Sequence, residues 1–331
     1  MNKDGLMKVS IKAKELQECP GVDIVAVVDR SGSMNCECSA ADENGKSLEN
    51  GFSVLDIVKH SVKTVIKTLR PQDRLSLIIY DDKTDVMFTL ESMNEDGQNM
   101  ALPIVDGIES RNSTDIYSAL KEAVNIVQMR EDKSRNPAIM LFTDGVPNRS
   151  PKEGEIVALQ NLIREKQLSV PIHTFGFGYN LDSSKLYDMA KVSNSGMNNF
   201  IPDAGMVGTI FVNAISNILT TAAIDVKFKM NLQDKGIVNE MMVGDWNIEQ
   251  TENELTVHVG SVRFGQELEF LIALDNSTEI DIAQKIEYEV ANKKFETQTI
   301  SSPELLAEEQ FSNELFRLQT VSVLAQSLKK E

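Results

Sequence analysis

Val22-Asp23-Ile24-Val25-Ala26-Val27-Val28, running on into Asp29-Arg30-Ser31-Gly32-Ser33-Met34, is the stretch that decides the fold. The first part is apolar with one acidic break and shows no period of two. A strand with one wet face alternates. A strand covered on both faces does not, and strands of parallel sheets read this way. Helical spacing then follows at Val54, Leu55, Val58, Val62, Val65, Ile66 and Leu69, and Pro71 ends it.

Outward from this unit the pattern repeats. Strand-like runs at Arg74–Tyr80, Ala138–Phe142 and Val170–Phe175 alternate with helical patterns at Asp115–Met129, Glu153–Lys166, Ser183–Lys191 and Met206–Thr221. Val86–Leu90 is close enough to Arg74–Tyr80 to be its hairpin partner, and Asn199–Ile201 makes a last short strand. This order predicts an α/β fold, a doubly wound and mostly parallel sheet over residues 21–221. After Thr221 the texture changes. Ile224–Met230, Leu255–Val259 and Ile286–Val290 alternate apolar and polar residues, and Glu267–Leu274 is a further strand candidate. Residues 222–300 are read as a smaller antiparallel β-sandwich domain with Trp246 in its core. Val9–Ala13 also alternates, so residues 1–20 are assigned a strand that would return to that domain. The tail, 301–331, has Ser301 and Ser302 as caps, Pro303 and Glu304 as a helix start and an apolar stripe from Phe311 to Leu328. This C-terminal helix must bury its stripe within the chain or through self-association.

Composition narrows the function classes. The 331 residues carry 50 acids against 33 bases, a net charge of −17, which repels nucleic-acid phosphate and anionic lipid. The apolar runs are strand-sized, far short of the ~18 residues of a membrane span, and the first twenty residues hold no secretory apolar core. The chain therefore reads as cytoplasmic. Cys36 and Cys38 form a close pair, but Cys19 lies before the first strand, ~25 Å away at the usual rise, so a four-ligand zinc site is disfavoured.

Three pieces carry chemistry: Asp29-Arg30-Ser31-Gly32-Ser33, Asn112-Ser113-Thr114-Asp115 and Thr143-Asp144-Gly145. The first and third end predicted parallel strands and the second opens a helix, so the topology brings them to one end of the sheet, where such folds bind ligands. Their donors are carboxylates and hydroxyls, which select hard cations: Mg²⁺, with Mn²⁺ or Ca²⁺ as alternatives. Neutral hydroxyls leave the ion electrophilic enough to take an acidic group from elsewhere. Asp29-Arg30-Ser31-Gly32-Ser33 alone is a weak signal, because Asp and Ser also serve turns and caps. Arg30 is read as a solvated loop residue, Thr143 as a cap, and Gly176-Phe177-Gly178 as a turn.

Asp29-Arg30-Ser31-Gly32-Ser33-Met34 resembles the D-x-S-x-S motif of von Willebrand factor A domains. Val22–Val28 before it, Leu141–Asn148 later, and His173–Gly178 also resemble that family. The resemblance implies a metal-ion-dependent adhesion site built on Asp29, Ser31, Ser33, Thr114 and Asp144. It implies Ser31, Ser33 and Thr114 as direct ligands and the two aspartates acting largely through water. A Glu or Asp of a protein partner would complete the site, making this a binding protein or scaffold and no enzyme. Two departures stand out. Asn112-Ser113 precede Thr114 where glycine is common, leaving Ser113 as an alternative ligand, and Asp115 adds a carboxylate that would either reach the site or cap the helix. Competing readings are a phosphatase-like hydrolase using Asp29 as nucleophile, which lacks a second acid because Ser31 stands there, and a structural subunit whose metal only stabilises the fold.

Overall fold

The computed structural model describes residues 6–15, 19–37, 40–41, 47–48, 51–111, 113–144, 147–178, 181–202, 204–231, 247–273 and 283–300. The expected C-terminal helix and Trp246 lie outside them. The chain divides into two compact units, Glu18–Ile224 and the segments on either side, Met1–Gln17 with Asp225–Glu331.

In order, the described elements begin with β1 (Leu6–Lys12), β2 (Val22–Asp29), β3 (Ala40–Ala41), β4 (Ser47–Leu48), α1 (Val54–Thr68), β5 (Arg74–Tyr80), β6 (Thr84–Ser92), α2 (Glu95–Asp106) and α3 (Ile116–Gln128). They continue with β7 (Asn136–Thr143), α4 (Glu155–Lys166), β8 (Ile172–Phe177), α5 (Ser183–Lys191), β9 (Asn198–Ile201) and α6 (Val207–Leu219). Strands β10 (Thr221–Asn231), β11 (Asn247–Gln250), β12 (Glu254–Arg263), β13 (Glu267–Ala273), β14 (Ala283–Val290) and β15 (Lys293–Ile300) follow.

The larger unit is built on a six-stranded sheet of order β6-β5-β2-β7-β8-β9. All its pairings are parallel except β5 with β6. The apolar run that opened the reading sits at the centre, and its residues divide between two cores. Ile24, Ala26 and Val28 pack on one face with residues of α1 and α6, while Val25 and Val27 pack on the other with residues of α3 and α5. Each such buried aliphatic side chain contributes ~1.5–3 kcal/mol of transfer free energy, which is why the strand carries no polar alternation. Phe142, Phe175 and Phe211 stack with ring centroids 4.8–5.7 Å apart and fix α6 against the sheet.

Helix α1 begins at a capping box, in which the Ser53 hydroxyl accepts from the Asp56 amide and the Asp56 carboxylate accepts from the Ser53 amide. Helix α2 was not anticipated. Gly97 and Pro103 inside it read as breakers, yet each has a use. A methyl group at Gly97 would lie 2.0 Å from the Ser92 carbonyl oxygen, so glycine is what lets the helix return so close to β6. Pro103 stands in the last turn, and its carbonyl accepts the Gly107 amide that closes the helix.

In the other unit the described strands form a five-stranded sheet, β11-β12-β10-β14-β15, and a two-stranded antiparallel ribbon, β1-β13. From Asp225 onward β10 alternates buried and half-buried residues, and Phe228 meets Phe270 of the ribbon edge-on at 5.5 Å. No helix among the described residues is long and apolar enough to cross a membrane.

Candidate metal centre

Strand order locates the site before any side chain does. From β2 the chain moves to β5 on one side and later to β7 on the other, so the loops leaving β2 and β7 diverge at their carboxyl ends and leave a crevice between them. Asp29 ends β2, and Asp144 follows the last residue of β7.

Register supplies the surroundings of Asp29. It lies opposite Tyr80, the last residue of β5, while Val28 pairs with Phe142, which brings Thr143 level with Asp29 on the other side. Asp29 Oδ2 therefore accepts the Tyr80 hydroxyl at 3.1 Å and the Thr143 hydroxyl at 2.6 Å. Oδ1 accepts the Ser31 amide at 2.8 Å. The side chain is 0% exposed, and among the described residues no basic side chain donates to it. Burial pushes its carboxyl up to about 6; the bonds from Thr143 and Ser31 oppose that rise, and the charge of Asp144 adds to it. Burial, and then the charge of Asp29, push the Tyr80 phenol up, so it stays protonated and able to donate.

After Asp29 the chain makes a single 3-10 turn, Gly32–Asn35, closed by Met34 N to Ser31 O at 3.1 Å. Met34 is fully buried and anchors the turn, while the Ser31 and Ser33 hydroxyl oxygens are left 3.1 Å apart. Ser31 is buried and Ser33 exposed. The other two loops are tied in by main-chain bonds. Arg111 N donates to Arg30 O at 2.6 Å. Asn148, four residues beyond Asp144, accepts the Thr114 amide at 3.0 Å and the Ser113 hydroxyl at 2.9 Å on its side-chain oxygen, and its own amide donates to Thr114 O at 3.2 Å. Thus Asp29 is bonded to Ser31 and Ser31 in turn meets Ser33, Asp144 is near enough to act on Asp29 electrostatically, and Thr114 is joined to the Asp144 loop through Asn148.

The alternatives at the middle loop separate. Asp115 caps α3, accepting from the Ser118 amide and hydroxyl at 3.0 and 2.8 Å. The Ser113 hydroxyl is engaged by Asn148, while Thr114 is 3% exposed beside it. Arg30 corrects the sequence reading. It is no solvated residue: it is 5% exposed, with Nε on Asp81 at 2.8 Å and Nη2 on Asp85 at 2.6 Å. Asp81 O in turn accepts the Asp115 amide, so Arg30 braces the loop that carries Thr114. Three contributors were missed: Tyr80, Thr143 as a donor, and Asn148. Thr143 and Asn148 both stood in the Leu141–Asn148 stretch, but without a role. Tyr80 depends on strand register, which no local pattern records.

The donor set is oxygen alone. Among the described residues no three His, Cys, Asp or Glu side chains gather into a metal-binding group, so an ion here would draw on hydroxyls for much of its shell, as hard cations accept. Cys19 and Cys36 are free thiols, and Cys38 lies outside the described residues.

The model of the von Willebrand factor type A domain matches residues 23–212, more than half of the chain. The chain belongs to that family. An uncharacterized Escherichia coli protein, YfbK, is 24% identical over 296 residues, covering 87% of this chain and 48% of that protein. The Arabidopsis thaliana protein named probable E3 ubiquitin-protein ligase WAVH2 is 29% identical over 141 residues, 41% of this chain and 17% of the relative. The chain thus spans less than half the length of these curated relatives. A solved structure described as von Willebrand factor type A from Catenulispora acidiphila superposes with a TM-score of 0.67 at 13% identity, covering 90% of this chain and 70% of that one, a likeness of fold alone.

Proposed function

We propose that this protein is a divalent-cation-dependent protein-binding module, in which Asp29, Ser31, Ser33, Thr114 and Asp144 hold Mg²⁺, or Mn²⁺ or Ca²⁺, and a partner's Glu or Asp completes the shell. The observation that carries the reading is the setting of Asp29. Asp29 is a fully buried carboxylate bonded, among the described residues, only by neutral donors, beside two converging hydroxyls and within the field of Asp144, and a carboxylate so buried is ordinarily balanced by a cation. Bound there, the ion would act as a Lewis acid toward an incoming carboxylate. Ser31 and Ser33 offer it uncharged oxygens, Tyr80 and Thr143 orient Asp29, and Asn148 fixes the Thr114 loop.

A hydrolase using Asp29 as nucleophile fits poorly, because both oxygens already accept hydrogen bonds and the side chain is shut from solvent. The ligase in the plant relatives' names belongs to proteins of which the match is a small part. Isothermal titration with Mg²⁺, Mn²⁺ and Ca²⁺ tests the site: saturable binding to the wild type, lost in Asp29→Asn and Ser33→Ala, is expected. Capture of partners from source lysate should then fail in EDTA and with Ser33→Ala. Partners retained by Ser33→Ala after ion binding is lost would mean that the metal only stabilises the fold.

A further inference from the structure

Next to the site lies an open cleft of about 890 Å³, formed by the segment after Ser33, the start of α1 and the loop after α2. Its walls are built firmly. Val54 N donates to Cys36 O at 3.0 Å, Glu37 bridges to Ser53, and the Glu37 carboxylate accepts the Gly51 amide at 3.1 Å. Between these anchors Phe52 is held 55% exposed, with Leu55 and Ile108 as buried apolar lining. An aromatic ring fixed in the open at the mouth of a cleft is the usual raw material of a binding hot spot.

The charge around it is one-sided. Among the described residues, Glu37, Asp56 and Glu109 line the cleft against a single cation, Lys59, whose ammonium donates to the Asp106 carbonyl at 3.1 Å. The Asp56 carboxylate is oriented by the Ser53 amide and hydroxyl, and those bonds hold it below the usual carboxylate range, so it stays charged.

We propose that this cleft takes a short segment of the partner carrying an apolar side chain and a Lys or Arg, close in sequence to the Glu or Asp that reaches the ion. The proposal rests on the metal-dependent reading above. Asn35 in the wall is two residues from Ser33, and Ser110 is four from Thr114, so a chain whose carboxylate sits at the ion has this cleft within reach of its next residues. The acid would bind the metal, the apolar group would cover Phe52, and the base would answer the three carboxylates. One segment would then have to satisfy two adjacent sites of opposite charge, which rejects partners that are merely acidic.

The test is a displayed library of short peptides with one fixed central Glu, selected on the full chain in Mg²⁺. Enrichment of an apolar residue and a Lys or Arg beside the fixed Glu is expected. A selected peptide should bind Phe52→Ala at least about tenfold more weakly and Glu109→Lys about tenfold more weakly, the latter effect shrinking with salt. Titration with Mg²⁺ alone should be the same for both variants and the wild type, which also shows that they fold. Peptides indifferent to both substitutions, or no basic and apolar enrichment, would overturn the cleft whatever the ion does. Peptides sensitive to both substitutions but bound equally in EDTA and by Asp29→Asn would keep the cleft and overturn the metal reading instead.

Discussion

Asp23 and Asp29 stand at the two ends of β2, both fully buried, in very different company. Asp23 accepts Arg74 Nε and Nη2 at 2.7 and 2.8 Å and Arg130 Nη1 at 2.8 Å, with the Arg130 side chain itself buried. Asp29 accepts one amide and two hydroxyls. One end of the strand is an ion-paired lock. The other is a buried carboxylate held by neutral donors alone among the described residues. The difference shows how one strand can carry a charge-balanced acid at its amino end and, on the metal-dependent reading proposed above, an acid awaiting a cation at its carboxyl end.

The largest effect is expected from breaking the lock. Asp23→Ala takes from buried Arg130 the carboxylate it is hydrogen-bonded to, and loss of one partner of such a pair costs ~3–5 kcal/mol. Denaturant unfolding should show that loss equally with and without Mg²⁺. A loss that Mg²⁺ repairs would mean the two ends are coupled. The second expected effect belongs to acid. His173, near the start of β8, is buried and accepts the Met197 amide on Nδ1 at 3.3 Å. Burial pushes it down from 6.5 to about 4. Between those values the unfolded chain binds the proton and the folded one does not, so stability is complete above pH 6.5 and falls as the pH drops toward 4, by about 3 kcal/mol from this group at most. His173→Gln should flatten that limb of a stability–pH curve. A curve unchanged by the substitution would remove His173 as its cause.

The other end should respond to the ion. Asp29→Asn removes a buried unpaired charge while keeping most of the shape, so its ion-free stability is expected within about 1 kcal/mol of wild type. Wild type in Mg²⁺ at a hundredfold excess over Kd should gain about 2.7 kcal/mol, and the variant should gain nothing. A thermal shift with Mg²⁺ that survives Asp29→Asn would place the ion elsewhere.

The two ends were not equally legible in the sequence. Asp29 announced itself because Ser31 and Ser33 follow at fixed spacing on one short turn. Asp23 looked like a mere acidic break, since its partners Arg74 and Arg130 are remote in sequence and only the sheet register joins them. The parallel sheet was readable because both-face burial leaves an unbroken apolar run. Helix α2 was not, because Gly97 and Pro103 answer to close packing against Ser92 and to the helix end, needs that local propensity cannot express. Arg30 misled for a related reason: an arginine in a polar turn reads as solvated unless Asp81 and Asp85 are known to converge on it.

The finest distinction is between neighbouring hydroxyls. Ser113 and Thr114 are interchangeable by sequence, but the Ser113 hydroxyl donates to Asn148 while Thr114 meets Asn148 through its backbone, which on the metal-dependent reading makes Thr114 the ligand. Ser113→Ala should therefore cost ~0.5–1.5 kcal/mol of stability, the worth of one hydrogen bond, and leave the affinity for Mg²⁺ within about threefold of wild type. Thr114→Val keeps the side-chain volume and the buried methyl but removes the oxygen, and Mg²⁺ binding by titration should be lost or weakened at least about tenfold. The reverse pattern, with Ser113→Ala losing the ion and Thr114→Val retaining it, would move the ligand one residue back. It would also recast Asn148 as the group that orients a ligand directly through its hydroxyl.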